Sequence, residues 1–129
     1  MPNMSMKQKE TEYVTMFIKD GILHFYYKEI KSIDLQIAKT CVKDRLEFSE
    51  DVSYPCLVDS IKTDNVTKEA RDYFAKEGNE LITANAILVK SSIFKMIVNF
   101  FITVNKPKNP TKMFTGKDQA LEWLNQYKK

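Results

Sequence analysis

Two runs rich in β-branched and aromatic residues open the ordered part of the chain, in "YVTMFIKDGILHFYYKE" from Tyr13 to Glu29, with Asp20-Gly21 between them. That dipeptide readily supplies the positive φ angles of a two-residue hairpin turn, so an antiparallel hairpin is predicted here. The period then changes. In "SIDLQIAKTCVKDRLEF", Leu35, Ala38, Val42 and Leu46 recur every three or four residues, the spacing of one buried helix face, and Ser32 is placed to cap the helix. "YPCLVDSI" is a short continuous apolar run, as expected of a strand covered on both faces and central in a sheet.

A polar bend follows, and then "VTKEARDYFAKEG" places Ala70, Tyr73 and Phe74 on one side of a second helix, with Asp64, Asn65 or Thr67 as its cap. Gly78 is positioned to end that helix in a left-handed conformation. "TANAILVKSS" repeats the buried-strand pattern. Ser91 or Ser92 caps a third, strongly apolar helix, "IFKMIVNFFITV". After a proline-bearing loop, "NKPKNP", comes a short strand, "TKMF". The last helix, "TGKDQALEWLNQYKK", has Thr115 and Asp118 at capping-box spacing and an apolar stripe of Ala120, Leu121, Leu124 and Tyr127. Lys128 and Lys129 complement the negative end of its dipole.

Strands alternating with helices require crossover connections, which predicts an α/β fold: a mixed, mostly parallel sheet with an N-terminal antiparallel hairpin and four helices. Residues 1–11 are polar and aperiodic and are expected to form a flexible segment, with one domain over 12–129. A chain of 129 residues, 43% hydrophobic and 12% aromatic, can bury a core without disulfides or metal. Its net charge of +3 comes from lysines spread along the chain, with no like-charge block of the kind that marks a nucleic-acid tail. Cys41 and Cys56 lie far apart in apolar settings, which suits reduced, buried thiols. With no signal-peptide pattern and no apolar run of membrane-spanning length, the expected location is cytoplasmic.

The element order, "CLVDSIKTDNVTKEARDYF" at its centre and "NPTKMFTGKDQALEWL" at its end resemble the SpoIIAA-like fold shared by STAS domains and, more remotely, by the CRAL-TRIO lipid carriers. The likeness runs from about Tyr13 to the C-terminus. Small bacterial STAS-like proteins with an Ala-Arg pair in the second helix, here Ala70-Arg71, and an "ALEWL"-type last helix are the closer look-alikes. In STAS anti-sigma-factor antagonists a serine at the opening of that helix is phosphorylated by a partner kinase. The corresponding place here is roughly Thr67-Lys68-Glu69-Ala70, where the serine and the following glycine are absent. The resemblance therefore implies the scaffold without the usual phospho-switch.

Two candidate surfaces follow. A helix N-terminus offers unpaired N–H groups, so Ser60, Thr63, Asp64, Asn65, Thr67, Lys68 and Arg71 form a candidate partner or ligand edge, at the carboxyl end of a strand where open α/β sheets bind ligands. The competing reading is a capped turn whose Asp64 repels added phosphate. The third helix is apolar all round, through Ile93, Phe94, Met96, Ile97, Val98, Phe100, Phe101, Ile102 and Val104, and must be covered. Ile93, Phe94, Ile97, Phe100 and Phe101 are its candidate surface for a protein partner, for a second copy in a dimer, or for a lipid. Lys95, Lys106, Lys108 and Lys112 are placed to meet an anionic headgroup. A lone His24 and two separated cysteines make no recognisable catalytic couple or metal-ligand set, and no cofactor motif appears. The function expected is a non-enzymatic STAS-like binding or regulatory module; the alternative is a lipid or small-molecule carrier with a pocket beneath the third helix.

Overall fold

A computed structural model describes residues 7–128. Six strands form one sheet in sequential order: β1 (Gln8–Glu10), β2 (Val14–Lys19), β3 (Ile22–Tyr27), β4 (Tyr54–Asp59), β5 (Ile82–Leu88) and β6 (Thr111–Phe114). Pairing is antiparallel from β1 to β3 and parallel from β3 to β6. Four α-helices connect or follow them: α1 (Leu35–Ser49), α2 (Lys68–Ala75), α3 (Ser92–Phe100) and α4 (Lys117–Asn125). The hairpin turn takes the expected form, with φ of 52° at Asp20 and 78° at Gly21.

Alternation along the strands divides the core. Leu23, Phe25, Tyr27 and Cys56 face α1 and α2, packing with Ala38, Cys41, Phe48 and Ala70. On the other face Ile22, Leu57, Ala84, Ala86 and Leu88 meet Ala120 and Leu124 of α4, the two β5 alanines leaving room for a close helix. Phe94 and Val98 of α3 join Val89, Ile87 and Met113 in a smaller cluster at the β5–β6 end.

Several local expectations are corrected. Part of the segment expected to be flexible over 1–11 is a strand: Gln8–Glu10 pairs with β2, and Lys7 is tied to the end of α1 through the Phe48 carbonyl and Glu50. Its polar sequence reflects an edge strand with no apolar face to bury. Residues 1–6 and Lys129, expected to be frayed and to complement the dipole of α4, lie outside the described residues.

Asp34, not Ser32, caps α1, accepting from the Ile37 N–H at 2.9 Å. Gly78 is not left-handed. It sits inside a 3-10 turn, Glu77–Asn79, where an added Cβ would come within 3.1 Å of the Phe74 ring. Close packing, not φ, therefore explains the glycine there. Gly116 takes the N-cap position of α4 without a side-chain hydrogen bond, leaving Thr115 one residue too early for a capping box. The apolar run after Ser91 is helical throughout, with an α-helical part followed by a π-helical turn over Phe101–Asn105.

Candidate functional site

The bend after β4 is tied to the bend after β3. Isolated parallel bridges join Ile30 to Thr63 and Ile33 to Val66, and the Ile33 N–H donates to Asn65 O at 2.9 Å while Thr67 N–H donates to Ile33 O at 3.0 Å. The candidate edge is consequently built into the scaffold. Ser60 is buried and its hydroxyl donates to Leu88 O at 2.8 Å; Thr63 is buried as well. Ser60 is thus engaged by the scaffold, while Thr63 Oγ1 is buried without a hydrogen-bond partner among the described residues; neither hydroxyl is open to a kinase. Asn65 donates to Ser32 Oγ at 3.0 Å, and Thr67 Oγ1 accepts from the Ala70 N–H at 3.2 Å, capping α2. Asp64 is exposed. Lys68 pairs with Asp72 at 2.9 Å and holds that carboxyl below its usual range. Of the seven residues, Ser60 and Arg71 line a cavity, and Ser60 donates its hydroxyl hydrogen to Leu88 O.

That cavity, of about 110 Å³, lies between α2, α3 and the sheet. Its walls are mostly apolar, with Val58 and Ile87 from β4 and β5, Phe74 from α2, and Phe94, Ile97 and Phe101 from α3 and its π turn; of the polar groups that also line it, Ser60, Asn79 and Asn85 already donate within the fold. Val58 and Ile87 belong to interior strands and face the helix layer, yet both stay part-exposed, because α2 and α3 do not close over them. A smaller chamber of about 50 Å³ adjoins it under α1 and shares Tyr27, Val58, Phe74, Gly78 and Asn85. No Asp or Glu lines either space among the described residues.

Each chamber instead carries an arginine. Arg71 Nη1 donates to Val66 O at 2.7 Å and its guanidinium lies over the Phe100 ring at 5.3 Å, but its buried Nε has no hydrogen-bond partner. Arg45 is buried; one Nη donates to Gly78 O at 3.1 Å and the other is unpartnered. Burial pushes the Tyr27 hydroxyl well above its ordinary value, so it stays neutral.

The outer surface of α3 differs from the expectation in detail. Phe94, expected on a partner surface, is 3% exposed and belongs to the core, while Ile97 and Phe101 are half-buried in the cavity wall. The exposed stripe is Ile93 and Met96, both 72% exposed, Phe100 at 48% and Val104 at 57%. A three- or four-residue spacing puts these on one face of a helix.

The charge along this stretch of sequence is one-sided, although in space Lys117 lies across the sheet beside Tyr26, and Asp72 of α2 meets Asn105. Between Glu80 and Asp118 the sequence carries six lysines, Lys90, Lys95, Lys106, Lys108, Lys112 and Lys117, and no Asp or Glu, leaving 14 of the 20 basic residues to balance all 17 acidic ones elsewhere. Reading the lysines as evenly spread misses this, since the signal is the gap in acidic residues. None of the six takes part in an ion pair among the described residues.

The remaining reactive groups are kept apart. Cys41 and Cys56 are buried on the helix face, and burial pushes both thiols up to about 12. His24 lies on the opposite face, stacked on Phe17 at 4.5 Å with Nδ1 3.3 Å from Tyr26 Oη. No group of three His, Cys, Asp or Glu is close enough to hold a metal among the described residues. No helix of the described residues is long and apolar enough to cross a membrane.

Sheet order, the antiparallel start and the helix placement define a SpoIIAA-like α/β fold. A crystal structure of an uncharacterized protein from the DUF3478 family with a SpoIIAA-like fold, from Shewanella loihica PV-4, matches 93% of this chain and 92% of its own at 16% identity, with a TM-score of 0.57. The chain itself belongs to the family described as a domain of unknown function, DUF7793, whose model matches residues 16–128. A protein with unknown function from Arthrobacter sp. FB24 shares 30% identity over 84% of this chain and 95% of its own, with a TM-score of 0.33. No curated protein matches the sequence.

Proposed function

We propose that the chain is a non-enzymatic, STAS-like binding module that docks a protein partner through the outer face of α3. The observation that carries this reading is the stripe of Ile93, Met96, Phe100 and Val104, left open to solvent as one helix face, whereas the other exposed large apolar side chains among the described residues, Val52 and Ile61, stand singly before and after β4. Burying such side chains fully is worth about 1.5–3 kcal/mol each, enough for a small interface to form around them. Among the described residues Lys95 stands unpaired on α3 itself, and the one acidic side chain held against the π turn, Asp72, is already engaged by Lys68 and Asn105, so two copies meeting face to face there would bring like charges together. The partner that fits is a different protein with apolar anchors inside an acidic rim.

Affinity capture with the wild-type chain beside Ile93→Glu and Met96→Glu variants tests this. Both side chains are mostly exposed, so the variants keep their thermal stability, and an acidic partner retained by wild type is lost from both and from wild type at about 0.5 M salt. Retention by the variants, or a stable dimer by light scattering, contradicts the reading. Salt-sensitive binding to vesicles rich in phosphatidylglycerol, with no protein partner, would replace it with a membrane-surface role.

The pocket expected beneath α3 supports a second reading, a small-molecule site. At about 110 Å³ the cavity is well below the roughly 300 Å³ at which pockets for drug-sized ligands begin, which disfavours a lipid acyl chain.

A further inference from the structure

We infer that the cavity between α2, α3 and the sheet is a binding site for a small aliphatic monocarboxylate, with Arg71 as its anchor. The inference rests on the small-molecule reading of that cavity and is independent of docking on α3.

Three observations converge. The first is an imbalance of charge. Arg71 and Arg45 line adjoining chambers that contain no Asp or Glu, and Arg71 makes no ion pair among the described residues. Asp72, next in sequence, is engaged by Lys68 at 2.9 Å and by Asn105 at 2.5 Å. Arg71 is part-buried and Asp72 lies near enough to feel its charge, but Asp72 is outside the cavity lining, so within the cavity the guanidinium faces no counter-charge and an anion entering there is favoured.

The second is directional. Arg71 Nε is buried without a hydrogen-bond partner while Nη1 is held by Val66 O at 2.7 Å, so the guanidinium plane is held from one side and its other edge, Nε with Nη2, still has a donor to give. A planar carboxylate matches such a fork, through charge-assisted bonds about twice as strong as neutral ones. Arg45, with its own unpartnered N–H in the inner chamber, adds positive potential from the far side.

The third is size and polarity. The walls at Val58, Ile87, Phe94 and Ile97 are hydrocarbon. A volume of about 110 Å³ is somewhat smaller than the roughly 150 Å³ cavity that accepts benzene. The apolar body that fits therefore has about four or five carbons. Inorganic phosphate fits poorly, since a doubly charged ion would face apolar walls with too few donors.

Titrating the full chain with 3-methylbutanoate, its neutral amide 3-methylbutanamide and inorganic phosphate, followed by backbone amide NMR shifts, tests the assignment. The acid shifts Val58, Asn85 and Ile87 saturably with a Kd near or below about 1 mM, and the amide and phosphate bind at least about tenfold more weakly. Arg71→Met, which keeps the length of the side chain, weakens the acid by at least about tenfold. Ile93→Glu, outside the cavity, leaves the titration unchanged, so failure here is separable from failure of docking on α3. No shifts up to about 10 mM would show that the cavity is not a ligand site. Equal binding of acid and amide, phosphate binding as tightly as the acid, or an unaffected Arg71→Met variant would each overturn the carboxylate assignment.

Discussion

At the scale of single residues, the chain spends its ionisable groups on structure. His24 shows this most sharply. Burial, helped by Lys117 and Lys19 and opposed by Asp20, lowers its pKa to about 4, so the imidazole stays neutral in the fold at pH values where the unfolded chain takes up a proton near 6.5. Its contribution to stability is complete above about pH 6.5 and is lost as pH falls toward 4, because the unfolded state binds more protons across that window. Replacing it by phenylalanine preserves the stack on Phe17 and removes the titration. The wild type should therefore lose more stability than His24→Phe between about pH 6.5 and pH 5, measured by urea unfolding at both. Identical pH dependence in the two proteins would contradict the assignment.

Elements were legible where one signal dominated. Asp20-Gly21 set the hairpin, the continuous apolar runs at Cys56 and Ala84 marked interior parallel strands, and three- or four-residue spacing located α1, α2 and α4. What escaped depended on neighbours distant in sequence. β1 is polar because it is an edge, and Gly78 is glycine because Phe74 packs against it. Ser32 and Asp34 are both good cap residues, so local sequence does not choose between them for α1, and Ser32 is instead the acceptor for Asn65 from the neighbouring bend. The same contact reshapes the candidate edge. Ser60, Asn65 and Thr67, candidates for a ligand cluster by sequence, pair with the scaffold, whereas the Arg71 cavity, assembled from β4, β5, α2 and α3, has no local pattern to betray it.

Thr67 belongs to this scale as a cap alone. Thr67→Ala should lower stability by about 0.5–2 kcal/mol in denaturant unfolding while leaving partner capture unchanged. Loss of capture in a stably folded variant would return the bend to the functional surface.

Across the whole molecule, function is expected where packing and charge balance both lapse. Three helices share one face of the sheet with unequal success: α1 buries much of the core, α2 buries Ala70 and Ala75, and α3 buries Phe94 and Val98 but also exposes an apolar stripe with Lys95, unpaired among the described residues, beside it. The fold tolerates this because α3 sits at the β5–β6 end, away from the main core. A photo-crosslinking side chain placed at Met96, compared with one at the exposed Lys39 on α1, reads the claim directly in cells. The account predicts a discrete crosslink to an acidic protein from position 96 and none from position 39; the same products from both positions, or products from position 39 alone, would contradict it.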